Sequence, residues 1–124
     1  MMTNGILEHV NVTVSDPHLT ADLLCRLFGW HKRWEGPAKA GGFTVHVGTA
    51  DGYVAVYAYP PEVQGPRDTG RLNHIGVLVD DLAAVERRVI DAGYLPHNHG
   101  DYEPGRRFYF DDHDGIEYEV VSYA

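Results

Sequence analysis

The chain carries one short pattern twice, and each copy has a histidine at its third position. Leu7–Asp16 places alternating valines after His9, and Leu72–Asp81 places alternating apolar residues after His74. The two histidines are 65 residues apart in a chain of 124 residues. Because only two copies fit, the repeat indicates two fused copies of one small module rather than a solenoid. Two such modules would bring their histidines to related positions.

The first module begins with a strand and a helix. Apolar residues alternate from Ile6 to Val14, which predicts a strand whose valines face a core while His9 lies on the opposite face. Asp16 and Pro17 are typical of a helix start, and leucines recur at helical spacing up to Gly29. Three short strands are predicted to follow, over Trp30–Glu35, Phe43–Gly48 and Tyr53–Tyr59.

The second module repeats this order. Leu72–Val79 is a predicted strand, and Asp80 or Asp81 caps a helix that ends at Gly93. Its apolar positions are Leu82, Val85, Val89 and Ile90. The remainder is predicted as a strand near Tyr94–Pro96, a loop over His97–Gly100, a strand over Arg106–Phe110, a turn over Asp111–Gly115 and a last strand over Ile116–Tyr123.

We therefore predict an α+β protein of two βαβββ modules. Residues 6–59 form module one, residues 71–124 form module two, and the Pro- and Gly-rich residues 60–70 form the linker. A chain of 124 residues is the size of one domain, so residues 1–124 are predicted to fold as a single domain.

The charge balance of the chain excludes two classes of binding partner. Eighteen Asp and Glu against ten Lys and Arg give a net charge of -8, which repels nucleic acid and anionic membranes, so a small molecule is the expected partner. The single cysteine, Cys25, excludes an internal disulfide. Residues 1–5 have no signal-peptide pattern, and no apolar run is long enough to span a membrane. We expect a cytoplasmic protein.

Three side chains predict a metal site. In the last strand, Glu119 lies on one face with Glu117. Counting four residues past Gly52 and past Gly115 gives Val56 in module one and Glu119 in module two. Two histidines and one carboxylate at related strand positions form the set that binds a divalent metal and leaves open coordination positions. The predicted ligands are His9, His74 and Glu119. For any one histidine alone, an ordinary hydrogen-bonded strand residue is the simpler interpretation, and the coincidence of three positions favours the metal.

At these residues the chain resembles the vicinal oxygen chelate superfamily, which contains glyoxalase I, extradiol dioxygenases, methylmalonyl-CoA epimerase, and the fosfomycin and bleomycin resistance proteins. The resemblance covers almost the whole chain. It rests on His9, His74 and the segment Phe108–Glu119, which is similar to the family's aromatic residue, Asp-Pro-Asp-Gly turn and metal glutamate. His113 stands where the family usually has proline.

The resemblance implies a curved, partly closed mixed sheet with the helices outside and a divalent metal (Fe, Mn, Ni or Zn) inside. It also implies a homodimer. Glyoxalase I and the epimerases resemble a four-ligand plan, and Val56 cannot supply the fourth ligand. The three-ligand plan is similar to that of extradiol dioxygenases and fosfomycin transferases, so an oxygenase, a lyase and a transferase remain open.

The expected substrate carries two neighbouring oxygens that chelate the metal. Asn11, Tyr57 and Arg107 are the candidate substrate-binding residues, because each lies on an element expected near the metal. The catalytic residues stay unassigned. The alternative function is a non-catalytic small-molecule or antibiotic binding protein of the bleomycin-resistance type, which would use the same sheet without chemistry.

Overall fold

The structure is a computed structural model that describes residues 4–38, 41–63, 69–102 and 105–124. The elements within these residues are β1 (Ile6–Thr13), α1 (Pro17–Phe28), β2 (His31–Pro37), β3 (Phe43–Gly48), β4 (Tyr53–Ala58), β5 (Arg71–Leu78), α2 (Leu82–Asp91), β6 (His97–Tyr102), β7 (Gly105–Asp111) and β8 (Glu117–Ser122). The predicted α+β class and the repeated βαβββ order are confirmed. Among the described residues, no helix is both long and apolar enough to cross a membrane.

The chain divides into two compact units. The first unit comprises His9–Asn73, and the second comprises Met1–Glu8 with His74–Ala124. In the first unit the strands follow the order β2-β3-β4-β1, and β1 and β4 are the parallel pair. In the second unit the order is β5-β8-β7-β6, and β5 and β8 are the parallel pair. Each unit therefore has the same mixed pattern of pairing. The single-domain organisation stays a prediction.

Both helices begin at the predicted aspartates. Asp16 Oδ1 accepts hydrogen bonds from the backbone N–H groups of His18 (3.1 Å) and Leu19 (3.2 Å), which caps α1. Gly29 ends α1 in the left-handed conformation, with a φ of 69° that glycine adopts without strain. Of the two predicted caps for α2, Asp81 is the observed one, and its Oδ1 accepts from the backbone N–H of Ala84 at 3.1 Å.

Each unit packs its helix against one face of its own sheet. In the first unit, Val45, Val47 and Val56 are fully buried with Ala21 of α1. In the second unit, the corresponding buried cluster consists of Val79, Leu82, Val89, Phe108 and Val120. Since side chains alternate along a strand, the residues between these core positions point to the other face, where the polar residues of β1 and β8 lie. Ile90, the last of the apolar positions named for α2, is 55% exposed.

One predicted strand and one predicted loop in module two are wrong. Residues 94–96 lie outside the strands, and the predicted loop at His97–Gly100 is the first part of strand β6. The sequence of β6 has no apolar alternation, so its strand conformation comes from pairing with β7 rather than from its own side chains. The other predicted strands are present: Phe43–Gly48 has the predicted bounds, and the ends of the others differ by at most two residues.

The equivalence of Val56 and Glu119 is also wrong, by one residue. In the register of the parallel pairs, Ala55 lies opposite Asn11, and Glu119 lies opposite Gly76. Strand β4 starts directly after Gly52, whereas Ile116 separates Gly115 from the start of β8. Ala55 is therefore the counterpart of Glu119. An alanine cannot bind a metal either, so the fourth carboxylate is still missing.

The predicted linker, residues 60–70, is described in part. Gly70 closes it with a φ of 82°, and its N–H donates to Thr13 O at 2.7 Å. A backbone turn joins Val63 N to Pro60 O at 3.1 Å. Gly65 and Pro66 of the linker lie outside the described residues.

Candidate metal centre

His74 and Glu119 lie together on neighbouring strands of the second unit. His74 is on β5 and Glu119 is on β8, and both are buried, with 8% and 5% of their surface exposed. His74 Nε2 is 3.2 Å from Glu119 Oε1. Two ligands at about 2.1 Å from one ion stand about 3.0–3.4 Å apart in octahedral or tetrahedral geometry. The separation of this nitrogen and oxygen therefore fits a shared divalent metal.

Arg107 balances the charge of the buried Glu119. Its Nη1 donates to Glu119 Oε2 at 2.7 Å, and its guanidinium lies 4.5 Å from the centre of the Tyr102 ring. Burial opposes the charged form of Arg107, but the carboxylate of Glu119 outweighs this effect and raises the pKa of the guanidinium above its usual value. Arg107 thus holds one oxygen of Glu119 in place while the other faces His74.

Tyr109 completes the surroundings of this carboxylate. It lies opposite Glu119 in the β7–β8 register, and its ring meets that of His74 edge-on at 5.8 Å between centroids. Burial, together with the negative charge of Glu119, raises the pKa of the Tyr109 hydroxyl far above its usual value. Tyr109 is therefore a neutral hydroxyl at physiological pH.

In the first unit, His9 belongs to a stack of rings. His9 is 6% exposed, and its ring stacks on Tyr53 at 4.8 Å. His46 stacks on the same tyrosine at 4.5 Å, and the guanidinium of Arg33 lies 4.4 Å from the centre of its ring. Such ring and cation contacts favour a defined orientation of the His9 imidazole.

Asn11 and Tyr57 lie on the same face of the first unit as His9, as the β1–β4 register requires. The Oδ1 atom of Asn11 and the Oγ1 atom of Thr44 are buried, and neither has a hydrogen-bond partner among the described residues. A buried acceptor without a partner costs free energy, so such an atom is suited to a ligand. Burial raises the pKa of the Tyr57 hydroxyl, which keeps it a neutral donor.

The structure thus brings together His74, Glu119 and Arg107 among the predicted site residues. It adds Tyr109 and Glu117, which were not predicted as site residues. Burial raises the pKa of Glu117, while His74 opposes this rise and Asp111 adds to it. Strand alternation was the available signal for Glu117, because it stands two residues before Glu119 on the same face.

The comparisons with known proteins agree with this architecture. Residues 6–120 match the model of the Glyoxalase/Bleomycin resistance protein/Dioxygenase superfamily. The chain belongs to this superfamily. The resemblance stated from His9, His74 and the Phe108–Glu119 segment is therefore confirmed. No curated protein sequence matches the chain.

Several solved structures have the fold of this superfamily member. Methylmalonyl-CoA epimerase from Mycobacterium tuberculosis is 18% identical, with a TM-score of 0.81 over 100% of this chain and 93% of that one. A hypothetical protein from Bacillus halodurans C-125 is 13% identical, with a TM-score of 0.80 over 97% and 95% of the two chains. A methylmalonyl-CoA epimerase variant from Streptomyces coelicolor, in complex with 2-nitronate-propionyl-CoA, is 13% identical, with a TM-score of 0.73 over 97% and 98%. At these identities the likeness concerns the fold.

Proposed function

We propose that the protein is a divalent-metal-dependent enzyme that acts on a small molecule with two neighbouring oxygens. His9, His74 and Glu119 are the proposed ligands. The observation that carries the proposal is the buried pair of His74 and Glu119, with Nε2 and Oε1 3.2 Å apart, in a chain of the glyoxalase and dioxygenase superfamily. A buried carboxylate with an imidazole at ligand spacing is the donor set that such a metal requires.

His9 is assigned by its equivalence to His74. His9 pairs with Tyr53, the first residue of β4. The β5–β8 register runs from Ile75 and Tyr118 onward, so His74 stands beside Glu117, the first residue of β8. Both histidines therefore occupy the same position in their modules, and both are buried.

The metal, when bound, would act as a Lewis acid that polarises two chelating oxygens of the substrate. The protein side chains then have distinct proposed roles. Arg107 positions Glu119 through its 2.7 Å hydrogen bond, and a direct contact of Arg107 with substrate stays a prediction. Asn11 offers a buried acceptor to a substrate N–H or O–H group, and the neutral Tyr57 hydroxyl offers a donor.

The number of protein ligands bears on the reaction class. Ala55 occupies the position equivalent to Glu119, so this chain provides three ligands and leaves more than one coordination position open. A three-ligand site suits an oxygenase or a transferase better than the four-ligand lyases and epimerases. Because the Streptomyces coelicolor epimerase was crystallised with an acyl-CoA analogue, acyl-CoA thioesters belong in the substrate screen beside catechols and other vicinal diols.

Metal content tests the proposal. The parent chain and the variants His9→Ala, His74→Ala and Glu119→Gln would be purified without chelator under anaerobic conditions and measured by elemental analysis. We expect about one equivalent of Fe, Mn, Ni or Zn at this site, which each of the three variants loses. His31→Ala and Glu35→Gln are matched controls, because both residues are exposed on β2. Undiminished tight binding in His74→Ala and Glu119→Gln would overturn the proposed ligand set.

A second candidate, a binding protein without catalysis, is favoured by the aromatic side chains of module one. Tyr53 stacks with His9 and His46, and Tyr57 meets Tyr59 edge-on at 5.4 Å. Aromatic faces of this kind suit a planar ligand. This function predicts saturable binding of an aromatic small molecule by metal-stripped protein. Strict metal dependence of every ligand found would exclude it.

The proposed homodimer is tested separately by sedimentation. We expect the mass of two chains at micromolar concentration, and a single-chain mass in the micromolar range would contradict the dimer.

A further inference from the structure

A second group of metal-ligating side chains lies in the second unit. It consists of His97 on β6, Asp111 on β7 and Glu117 on β8. One potential ligand atom from each residue lies within 4.8 Å of the other two. His97 Nε2 is 3.3 Å from Asp111 Oδ1, a separation that two ligands of one ion commonly have. The three residues come from three neighbouring strands. Glu117 lies opposite Asp111, and His97 lies opposite Tyr109, two residues before Asp111 on the same face.

The two carboxylates of this group repel each other unless a positive charge lies between them. Asp111 lies directly opposite Glu117 in the antiparallel β7–β8 register. Like charges at directly opposed positions destabilise a sheet, and a cation bound to both removes the repulsion. Glu117 is half-buried, which increases the cost of the repulsion because less water screens it.

A bulge in β6 positions the imidazole of this group. Residues 98 and 99 break the regular pairing between His97 and Gly100, and Asn98 has a φ of 52°. Bulges redirect a neighbouring side chain and are common beside active sites. The His97 imidazole, directly before this bulge, lies next to Asp111.

A comparison with module one shows that the fold does not require these side chains. The positions that correspond to His97, Asp111 and Glu117 in the strand register are Trp34, Gly48 and Tyr53. None of these three residues is a usual metal ligand. The same backbone is thus built without the two opposed carboxylates, and their presence in module two calls for a chemical explanation.

We propose that His97, Asp111 and Glu117 bind a second divalent cation. One imidazole nitrogen and two carboxylates suit Mn²⁺, Fe²⁺ or Zn²⁺. The side chains of His97 and Asp111 are 33% and 54% exposed, so this ion is open to water and exchanges more readily than one at the buried His74 and Glu119. Glu117 and Glu119 share one face of β8, which places the second ion beside the first. The positive charge of the second ion favours a substrate with an anionic group.

Manganese titration followed by electron paramagnetic resonance tests the second site. Free Mn²⁺ gives a strong signal that is lost on binding, so the number of bound ions is counted directly. We expect two Mn²⁺ per chain in the parent. In each of Asp111→Asn and Glu117→Gln the second ion should bind at least tenfold more weakly, so that only one ion is bound at concentrations that saturate the parent. Both substitutions keep the shape of the side chain. Asp101→Asn is the matched control, since Asp101 is an exposed carboxylate on β6.

The outcomes separate the two sites. His74→Ala should lose the first ion and keep the second, so a parent that binds a single Mn²⁺, lost in Asp111→Asn and kept in His74→Ala, would support the second site and refute the first. If Asp111→Asn and Glu117→Gln titrate like Asp101→Asn and the parent, the second site is refuted. Circular dichroism of each variant confirms that it is folded.

Discussion

The two modules share one backbone plan and differ in the side chains on the face away from the helix. Module one has histidines and other aromatic or small residues there, and module two has carboxylates and an arginine in addition to histidines and a tyrosine. The pairs of corresponding positions, with module one first, are His9 and His74, Trp34 and His97, Thr44 and Arg107, His46 and Tyr109, Gly48 and Asp111, Tyr53 and Glu117, and Ala55 and Glu119. The histidine is the one identical pair in this set.

This difference separates what the fold needs from what a site needs. On the helix side, Val45 corresponds to Phe108 and Val56 to Val120, and all four are buried apolar residues. On the other side, among the corresponding positions named above, carboxylates occur in module two alone. A buried carboxylate such as Glu119 is costly without a partner, and Arg107 supplies that partner where module one has only Thr44. The shared backbone therefore does not require the polar face of module two, since module one is built without these carboxylates.

The largest expected effect is a difference in lost stability between substitutions in the two hydrophobic cores. Phe108 is fully buried, and Phe108→Ala should lower the free energy of unfolding by about 4 kcal/mol, because it removes a ring and leaves a cavity. Val45→Ala, at the corresponding position, should cost about 2 kcal/mol, since two methyl groups are lost. Urea unfolding followed by circular dichroism measures both. Equal losses of stability in the two variants would contradict the expectation that the loss follows the side-chain volume removed.

The next effect concerns the buried charge. Arg107→Ala should destabilise the metal-free protein by about 3 kcal/mol, because Glu119 keeps its charge and loses its hydrogen-bond donor. Adding Glu119→Gln to this variant should recover more than half of the loss, since the unpaired charge is removed. Thr44→Val, in module one, should be neutral or stabilising, because the buried Thr44 Oγ1 has no partner among the described residues. A double variant no more stable than Arg107→Ala would contradict the pairing.

A smaller effect is expected at the end of β8. The Tyr123 hydroxyl donates to Glu8 Oε2 at 2.6 Å, and Tyr123→Phe should cost about 1 kcal/mol because the residue is 45% exposed and partly solvated. Tyr57→Phe in module one keeps its ring contact with Tyr59 and should change stability by less than about 0.5 kcal/mol. Thermal unfolding compares the two variants side by side, and a larger loss for Tyr57→Phe would reverse the expected order.

The smallest effect is a pH dependence in the turn before β8. Backbone N–H groups of Ile116 and Asp114, and the hydroxyl of Tyr118, donate to Asp112 and lower the pKa of its carboxyl below the ordinary 3.8. A lowered folded pKa contributes stability that is present above the unfolded pKa and is lost as pH falls through the folded pKa. In module one the corresponding turn uses the neutral Thr49, whose Oγ1 accepts from Asp51 N at 3.2 Å.

Acid unfolding curves check this contribution. Between pH 4 and about pH 2, the parent should lose more stability than Asp112→Asn, which keeps an acceptor oxygen and has no carboxyl to protonate. Thr49→Ala should follow the parent over the same pH range apart from a constant offset. If the stability of Asp112→Asn and of the parent falls equally in acid, Asp112 does not contribute to this pH dependence.

Local patterns predicted most of the helices and strands. The caps Asp16 and Asp81 and the strand Phe43–Gly48 follow from residues near in sequence, and the structure confirms them. Glu119 was predicted, and its contact with Arg107 was not, because the two meet across strands β7 and β8. Strand β6 was missed because its conformation comes from pairing with β7, to which its own polar sequence gives no clue.

The sequence by itself determined the repeated order of strand and helix, the aspartates at which the helices begin and the apolar face of the core strands, since these depend on residues a few positions apart. Only the tertiary structure decided the register that makes Ala55, rather than Val56, the counterpart of Glu119, and the grouping of His97, Asp111 and Glu117. The physical reason is that one extra residue in a turn shifts every later cross-strand partner. Spacing along the chain does not record which residue faces which across a sheet.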